Sequence, residues 1–151
     1  MLNTFKNKYL YYFLQFTWGI EANLLGLIAC VFCKYILNWE ITKYYKNFII
    51  CPKDKQLSSG LSLGIFLFMD KDADETLKQH EYGHSIQNLI FGPLWLELIA
   101  IWSFIRYFYY QCIIYHFELK GNYNYYSIWF ERDASALGKR IVRDKIREWM
   151  I

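Results

Sequence analysis

"DKDADETLKQHEYGHSIQNLIFGP", residues 70–93, has the start and stop signals of one complete helix. Asp72 or Asp74 can cap its amino end, and acidic residues fill its first turn, where the helix dipole favours them. Gly92 and Pro93 end it, because glycine readily adopts the terminating conformation and proline cannot continue a helix. The first half of the stretch is too polar for hydrocarbon. If the more apolar parts of the chain enter a membrane, we therefore predict that this helix lies at or outside the membrane surface.

Within this helix, His80, Glu81 and His84 form the pattern His-Glu-x-x-His. Residues four apart project from the same helix face, so the two imidazoles can reach one ion at about 2.0–2.1 Å. Glu81 points in a neighbouring direction and can reach the ion's water rather than the ion. There it can take a proton from the water and return it to the leaving group. The pattern predicts one zinc ion on His80 and His84, with Glu81 as the catalytic base.

A catalytic zinc needs a third protein ligand and one open position. The chain offers four downstream candidates: Glu97, His116, Glu118 and Glu131. Glu97 follows the Gly-Pro break directly and is typical of a structural carboxylate at a membrane interface. His116 and Glu118 lie about a helix length from the histidine pair if residues 94–117 form one straight helix. Glu131 begins "ERDASALG", which can form a helix that returns across the first. We predict Glu131 as the ligand, with His116 as its main rival.

The composition is more apolar than that of most globular domains, at 55% hydrophobic and 21% aromatic; about 45–50% apolar is usual. Two apolar runs, at about residues 10–37 and 94–117, are comparable with the ~20 residues that cross a bilayer. Residues 38–56 are interpreted as a polar, lysine-rich connection. We therefore predict a mainly α, integral membrane helical protein, one domain over residues 1–151, with at most a short strand near Ile65 to Met69.

The net charge of +3 suits an anionic membrane surface better than nucleic acid, since the basic residues do not gather on one compact patch. Cys30 and Cys33 lie in an apolar run as small fillers, and the four cysteines do not indicate a disulfide framework. Lysines on both sides of the first run weakly favour a cytoplasmic active site. The predicted partner is the lipid bilayer of a cell membrane, with no nucleic acid. The oligomeric state is not set by the sequence.

Two further features allow alternatives. Ser62-Leu63-Gly64 is either a strand edge, along which an extended peptide can bind through its backbone, or a plain loop. Gln87 lies on the same helix face as the histidines. It either orients one of the ligands or is an ordinary polar helix residue.

"HEYGH" followed later by "ERDASALG" resembles the gluzincin metallopeptidases, in particular their membrane-associated, HtpX-like group. The resemblance implies that His80, His84 and Glu131 are the zinc ligands and that Glu81 is the general base. Ser135 stands where that group has an aspartate that orients a ligating histidine. A serine can accept the same hydrogen bond but lacks the charge.

The chain also resembles a small family of bacterial membrane proteins. The shared features are Trp18, Ser62-Leu63-Gly64, residues 80–87, Gly92-Pro93-Leu94 and the segment from Glu131 to Arg140. This resemblance covers most of the chain but implies no substrate.

The sequence thus predicts a membrane-associated zinc metallopeptidase that cleaves peptides or membrane-proximal protein segments. One alternative is a non-catalytic membrane scaffold or immunity-type interaction protein with a structural metal. Another is a zinc hydrolase acting on amides in lipids or cell-wall material.

Overall fold

The structure, a computed structural model, describes residues 7–54, 57, 59–109 and 129–149. In chain order the elements are α1 (Lys8–Thr17), α2 (Ile20–Tyr35), β1 (Glu40–Tyr44), β2 (Asn47–Cys51), β3 (Leu61–Leu63), β4 (Phe66–Phe68), α3 (Glu75–Phe91), a π-helical turn (Leu96–Ala100), α4 (Ile101–Tyr109) and α5 (Trp129–Trp149).

The four strands form one mixed sheet in the order β1-β2-β4-β3. β1 and β2 are an antiparallel hairpin, β2 runs parallel to β4, and β3 returns antiparallel to β4. Ile50 and Leu67, in the two central strands, are fully buried. Among the described strands, β1 and β3 therefore form the two edges of the sheet.

The prediction of a mainly α, integral membrane helical fold with at most a short strand is wrong, because the chain contains this four-stranded sheet. Residues 38–56 contain the whole β1–β2 hairpin instead of a polar connection. A turn at Tyr45, which has a φ of 51°, joins the two strands. The predicted short strand corresponds to β4, and its parallel partner β2 is distant in the chain. Pairing between strands that are distant in the chain has no local sequence pattern from which it can be predicted.

The two apolar runs also differ from the prediction. Within the described ranges, no single helix has both the length and the apolarity that a bilayer crossing requires. In the same ranges, α1 and α2 reach that length and apolarity only as a pair, and their axes are bent by 91° relative to each other. In the second run, a π-helical turn precedes the short α4, and residues 110–117 lie outside the described residues.

Buried amides explain the bend between α1 and α2. Asn23 Nδ2 donates to the backbone oxygens of Gln15 and Gly19, both at 2.8 Å. Asn88 Nδ2, from α3, donates to the same Gly19 oxygen at 3.2 Å and to Gln15 Oε1 at 2.9 Å. A bend frees backbone carbonyls that must find partners when buried. These side chains supply them, and they fasten the bend to α3.

The predicted helix in residues 70–93 is confirmed as α3. Asp74 is its N-cap and accepts a hydrogen bond from the Thr76 backbone N–H at 3.1 Å. Gly92 ends it with a φ of 56°, in the left-handed region that favours glycine. Residues 80–89 of this helix are all buried. It is therefore the central helix of the fold and not a surface helix.

α3 and α5 meet in direct backbone contact at two glycines. A Cβ added to Gly83 would lie 1.8 Å from the Ala134 carbonyl oxygen, and one added to Gly138 would lie 1.7 Å from the Gln79 oxygen. Side chains at these positions are therefore incompatible with the observed helix separation. This close approach brings α5 within reach of the histidines on α3.

Replacing Gly83 by Ala is expected to push α5 away from α3. Overpacking of this kind costs about 1–3 kcal/mol in the free energy of unfolding, which chemical denaturation followed by circular dichroism would measure. Ala136→Ser is the matched control, because Ala136 is exposed on α5 and exposed substitutions change stability by about 0.5 kcal/mol or less. Equal stability of the two variants would contradict the tight packing.

Candidate metal centre

Three side chains from two helices converge at the crossing of α3 and α5. His80 Nε2 lies 3.1 Å from Glu131 Oε2, and His84 Nε2 lies 3.4 Å from the same oxygen. One ligand atom from each residue falls within 4.8 Å of the other two, so the group can hold a metal ion. All three residues are buried, and Glu131 is fully so.

The spacing of these atoms fits a tetrahedral ion. Two ligand atoms that each lie about 2.0–2.1 Å from such an ion are about 3.3 Å apart. The two nitrogen–oxygen separations, 3.1 and 3.4 Å, lie on either side of this value. Two of the three ligand separations therefore match a tetrahedral ion, and two imidazoles with one carboxylate are a donor set that several divalent ions accept.

Hydrogen bonds hold His84 in the orientation and tautomer that a ligand needs. Gln87 Nε2 donates to the Phe130 carbonyl oxygen at 2.7 Å and to Asp133 Oδ2 at 3.2 Å. Since both partners only accept, the other end of the amide, Oε1, faces His84 Nδ1 at 2.8 Å. That oxygen accepts from a protonated Nδ1, so Nε2, which faces Glu131, is the nitrogen that would bind a metal in the neutral ring.

His80 is held in the same way by Ser135. The Ser135 hydroxyl donates to the Glu131 carbonyl oxygen at 3.2 Å, so its oxygen can accept from His80 Nδ1 at 2.8 Å. Ser135 therefore takes the place that the gluzincin resemblance assigns to an aspartate. It orients the ring without adding a negative charge.

The electrostatics keep Glu131 ionised. Burial opposes this, but the imidazole nitrogens of His80 and His84, at 3.1 and 3.4 Å from Oε2, outweigh it and hold the pKa of Glu131 well below its usual range. Ser103, on α4, donates a further hydrogen bond to Glu131 Oε1. The buried carboxylate thus carries the negative charge that a cation would neutralise.

Glu81 is buried beside the triad, and burial raises the pKa of its carboxyl group while the His84 and His80 rings oppose the rise. Gly60, just before β3, packs against it: a Cβ there would lie 2.6 Å from Glu81 Oε1. The β3 edge of the sheet therefore begins next to this carboxylate.

The segment after Pro93 closes the other side of the centre. The buried Trp95 ring lies 6.4 Å from the His84 ring, and Ser103 reaches Glu131 from α4. No sequence pattern selects Ser103, because its role depends on where α4 packs. Gln87 contacts a histidine ring, which is one of the two roles that its helix face allowed, whereas Asp133 was not selected from the sequence.

The structure describes two of the four candidate third ligands. Glu131 joins the histidine pair, as predicted. Glu97 lies exposed on the π-helical turn and takes no part in the triad. His116 and Glu118 lie outside the described residues.

Comparisons of the chain with protein-family models, with curated proteins and with solved structures found no match.

Proposed function

We propose that the chain is a zinc-dependent metallopeptidase that hydrolyses peptide bonds. The observation that carries the proposal is the convergence of His80, His84 and Glu131 with tetrahedral spacing, next to the buried Glu81 carboxylate. Zinc accepts two imidazoles and a carboxylate in catalytic sites and leaves a fourth position for water or substrate. The resemblance of the two motifs to gluzincins supports the same assignment of roles.

Bound zinc would polarise the scissile carbonyl group and acidify the attacking water. Glu81 accepts the proton of that water and delivers it to the leaving amine. Gln87 and Ser135 keep both histidine rings in place throughout.

The edge strand β3 supports a peptide as the substrate. Its outer side has no partner strand among the described residues, and Gly60, just before the strand, packs against Glu81. An extended peptide can add to such an edge through backbone hydrogen bonds, which do not depend on its sequence. A peptide bound there would run past the proposed base.

The burial of the centre favours a second candidate, a closed structural metal site in a non-catalytic interaction protein. His80, His84, Glu81 and Glu131 are each at most 7% exposed, and Ser103 occupies the second oxygen of Glu131. A structural site has four ligands and no open position, whereas a catalytic one must admit substrate.

Hydrolysis of a peptide mixture by the purified chain tests the proposal. Mass spectrometry should reveal new peptide ends that disappear with a zinc chelator and return when zinc is restored. If zinc-loaded protein leaves every peptide intact, or if cleavage continues without the metal, the peptidase proposal fails.

Replacing Gln87 by Leu should weaken zinc binding by about 10–100-fold, because groups that orient a metal-binding histidine contribute affinity of this size. The variant removes the acceptor from His84 Nδ1 and leaves the ring free to turn. Competition with a chromophoric zinc chelator measures the affinity.

The matched control is Gln79→Leu on the same helix, since the Gln79 amide donates to the exposed Glu75 carboxylate and not to a histidine. This control should bind zinc as tightly as the parent protein. Unchanged affinity in Gln87→Leu would show that Gln87 does not position His84.

A further inference from the structure

The helix α2 has an inverted distribution of side chains. The residues that it buries are small or polar: Ala22, Asn23, Gly26, Cys30 and Cys33. The residues that it exposes between Glu21 and Lys34 are bulky and apolar: Leu24, Leu25, Leu27, Ile28, Val31 and Phe32. We call these six the outer face of α2. A helix at a protein–water boundary normally shows the opposite pattern, with charged residues outward.

Charges are confined to the ends of α2. Between Glu21 and Lys34 the sequence has no charged residue. Glu21 lies in the first turn, where the helix dipole favours an acid. Lys34 lies in the last turn, and Lys53 joins that end by donating to Asn38 at 3.4 Å. The carboxyl end of α2 therefore presents cations beside an uncharged apolar face.

We propose that the outer face of α2 docks against an anionic lipid bilayer, with the helix lying along one leaflet instead of crossing it. Small residues facing protein and large ones facing outward are the arrangement of a helix in contact with lipid. The lysines complement anionic headgroups. This inference does not depend on the metal centre.

A protein partner fits this face less well. Protein interfaces are about 56–65% apolar and carry hydrogen bonds across them. The outer face of α2 has no polar side chain with which to form such bonds. Lipid hydrocarbon chains form no hydrogen bonds, so a bilayer matches the outer face of α2 better than a protein surface does.

The docking brings the metal centre close to the membrane surface. On its buried side, α2 contacts β3: a Cβ on Gly26 would lie 2.4 Å from the Leu63 carbonyl oxygen. Asn23 Oδ1 accepts a hydrogen bond from the Ile65 N–H at 2.9 Å. The edge strand beside Glu81 is therefore one helix away from the lipid, which would favour membrane-proximal polypeptides.

Vesicle flotation of the full chain tests this inference. Protein purified in mild detergent is diluted into phosphatidylcholine vesicles, with and without phosphatidylglycerol. The parent protein should float, and more of it should float with phosphatidylglycerol. Ile28→Glu places a carboxylate on the outer face, where Ile28 is 66% exposed, and should lower the bound fraction about tenfold.

The matched control is Ile41→Glu, since Ile41 is also exposed, at 41%, but lies on β1. It should float like the parent. Leu24→Glu, on the outer face, repeats the test at a second position, and circular dichroism confirms that each variant is folded. Undiminished flotation of both outer-face variants overturns the inference. A second result would also overturn it: the parent protein does not float, forms a dimer, and the dimer dissociates in Ile28→Glu. The outer face of α2 would then be covered by a second copy of the chain.

Discussion

The Glu81→Gln variant is expected to bind zinc normally and to lose hydrolytic activity by about 10²–10⁴-fold, the usual contribution of a positioned general base. The amide has the size of the carboxylate but cannot accept the proton of the attacking water. Because Glu81 is not one of the three converging residues, zinc binding should persist. Peptide cleavage and metal content, measured on the same preparation, separate the two effects.

Glu97→Gln is the control for this variant. Glu97 is an exposed glutamate on the π-helical turn, outside the triad, so its activity should equal that of the parent protein. If Glu81→Gln cleaves peptides as fast as the parent, Glu81 is not the base. If the parent protein and Glu81→Gln both bind zinc but neither cleaves any peptide, the result supports the second candidate, a closed structural metal site.

The Glu131→Gln variant is expected to lose zinc affinity by at least about 100-fold, more than the loss of an orienting group alone would cause. Glu131 is the only carboxylate in the triad, and a neutral amide is a poor zinc ligand. Zinc should also cease to raise the melting temperature, because a bound metal stabilises the folded state in proportion to its affinity.

Two comparisons make this second prediction specific. Glu97→Gln should retain both the affinity and the zinc-dependent rise in melting temperature. A folded Glu131→Gln variant that binds zinc as tightly as the parent would exclude Glu131 as a ligand. Residues outside the described ranges, with His116 first among them, would then have to supply the third ligand.

The triad could be predicted from the sequence because its geometry is mostly local. The spacing of His80 and His84 fixes their common helix face. The signals at Asp74 and Gly92 fix the helix that carries them. Glu131 required one tertiary assumption, that a later helix crosses the first, and the contacts at Gly83 and Gly138 show how closely it does.

The sheet and the bend could not be predicted in the same way. The pairing of β2 with β4 joins segments that are separate in the sequence. The bend between α1 and α2 depends on amides from two helices, and Asn88 becomes relevant only after α3 has packed. Apolar composition alone therefore suggested straight spanning helices. Part of that apolar composition lies instead on the exposed outer face of α2.

Zinc analysis combined with X-ray absorption at the zinc edge tests the central claim, that His80, His84 and Glu131 form a metal centre, most directly. The predicted result is one zinc per chain with only nitrogen and oxygen neighbours, at about 2.0–2.1 Å. Loss of this signal in Glu131→Gln but not in Glu97→Gln would tie it to the triad. Protein that takes up no zinc, or zinc with sulfur neighbours at about 2.3 Å, would contradict the claim.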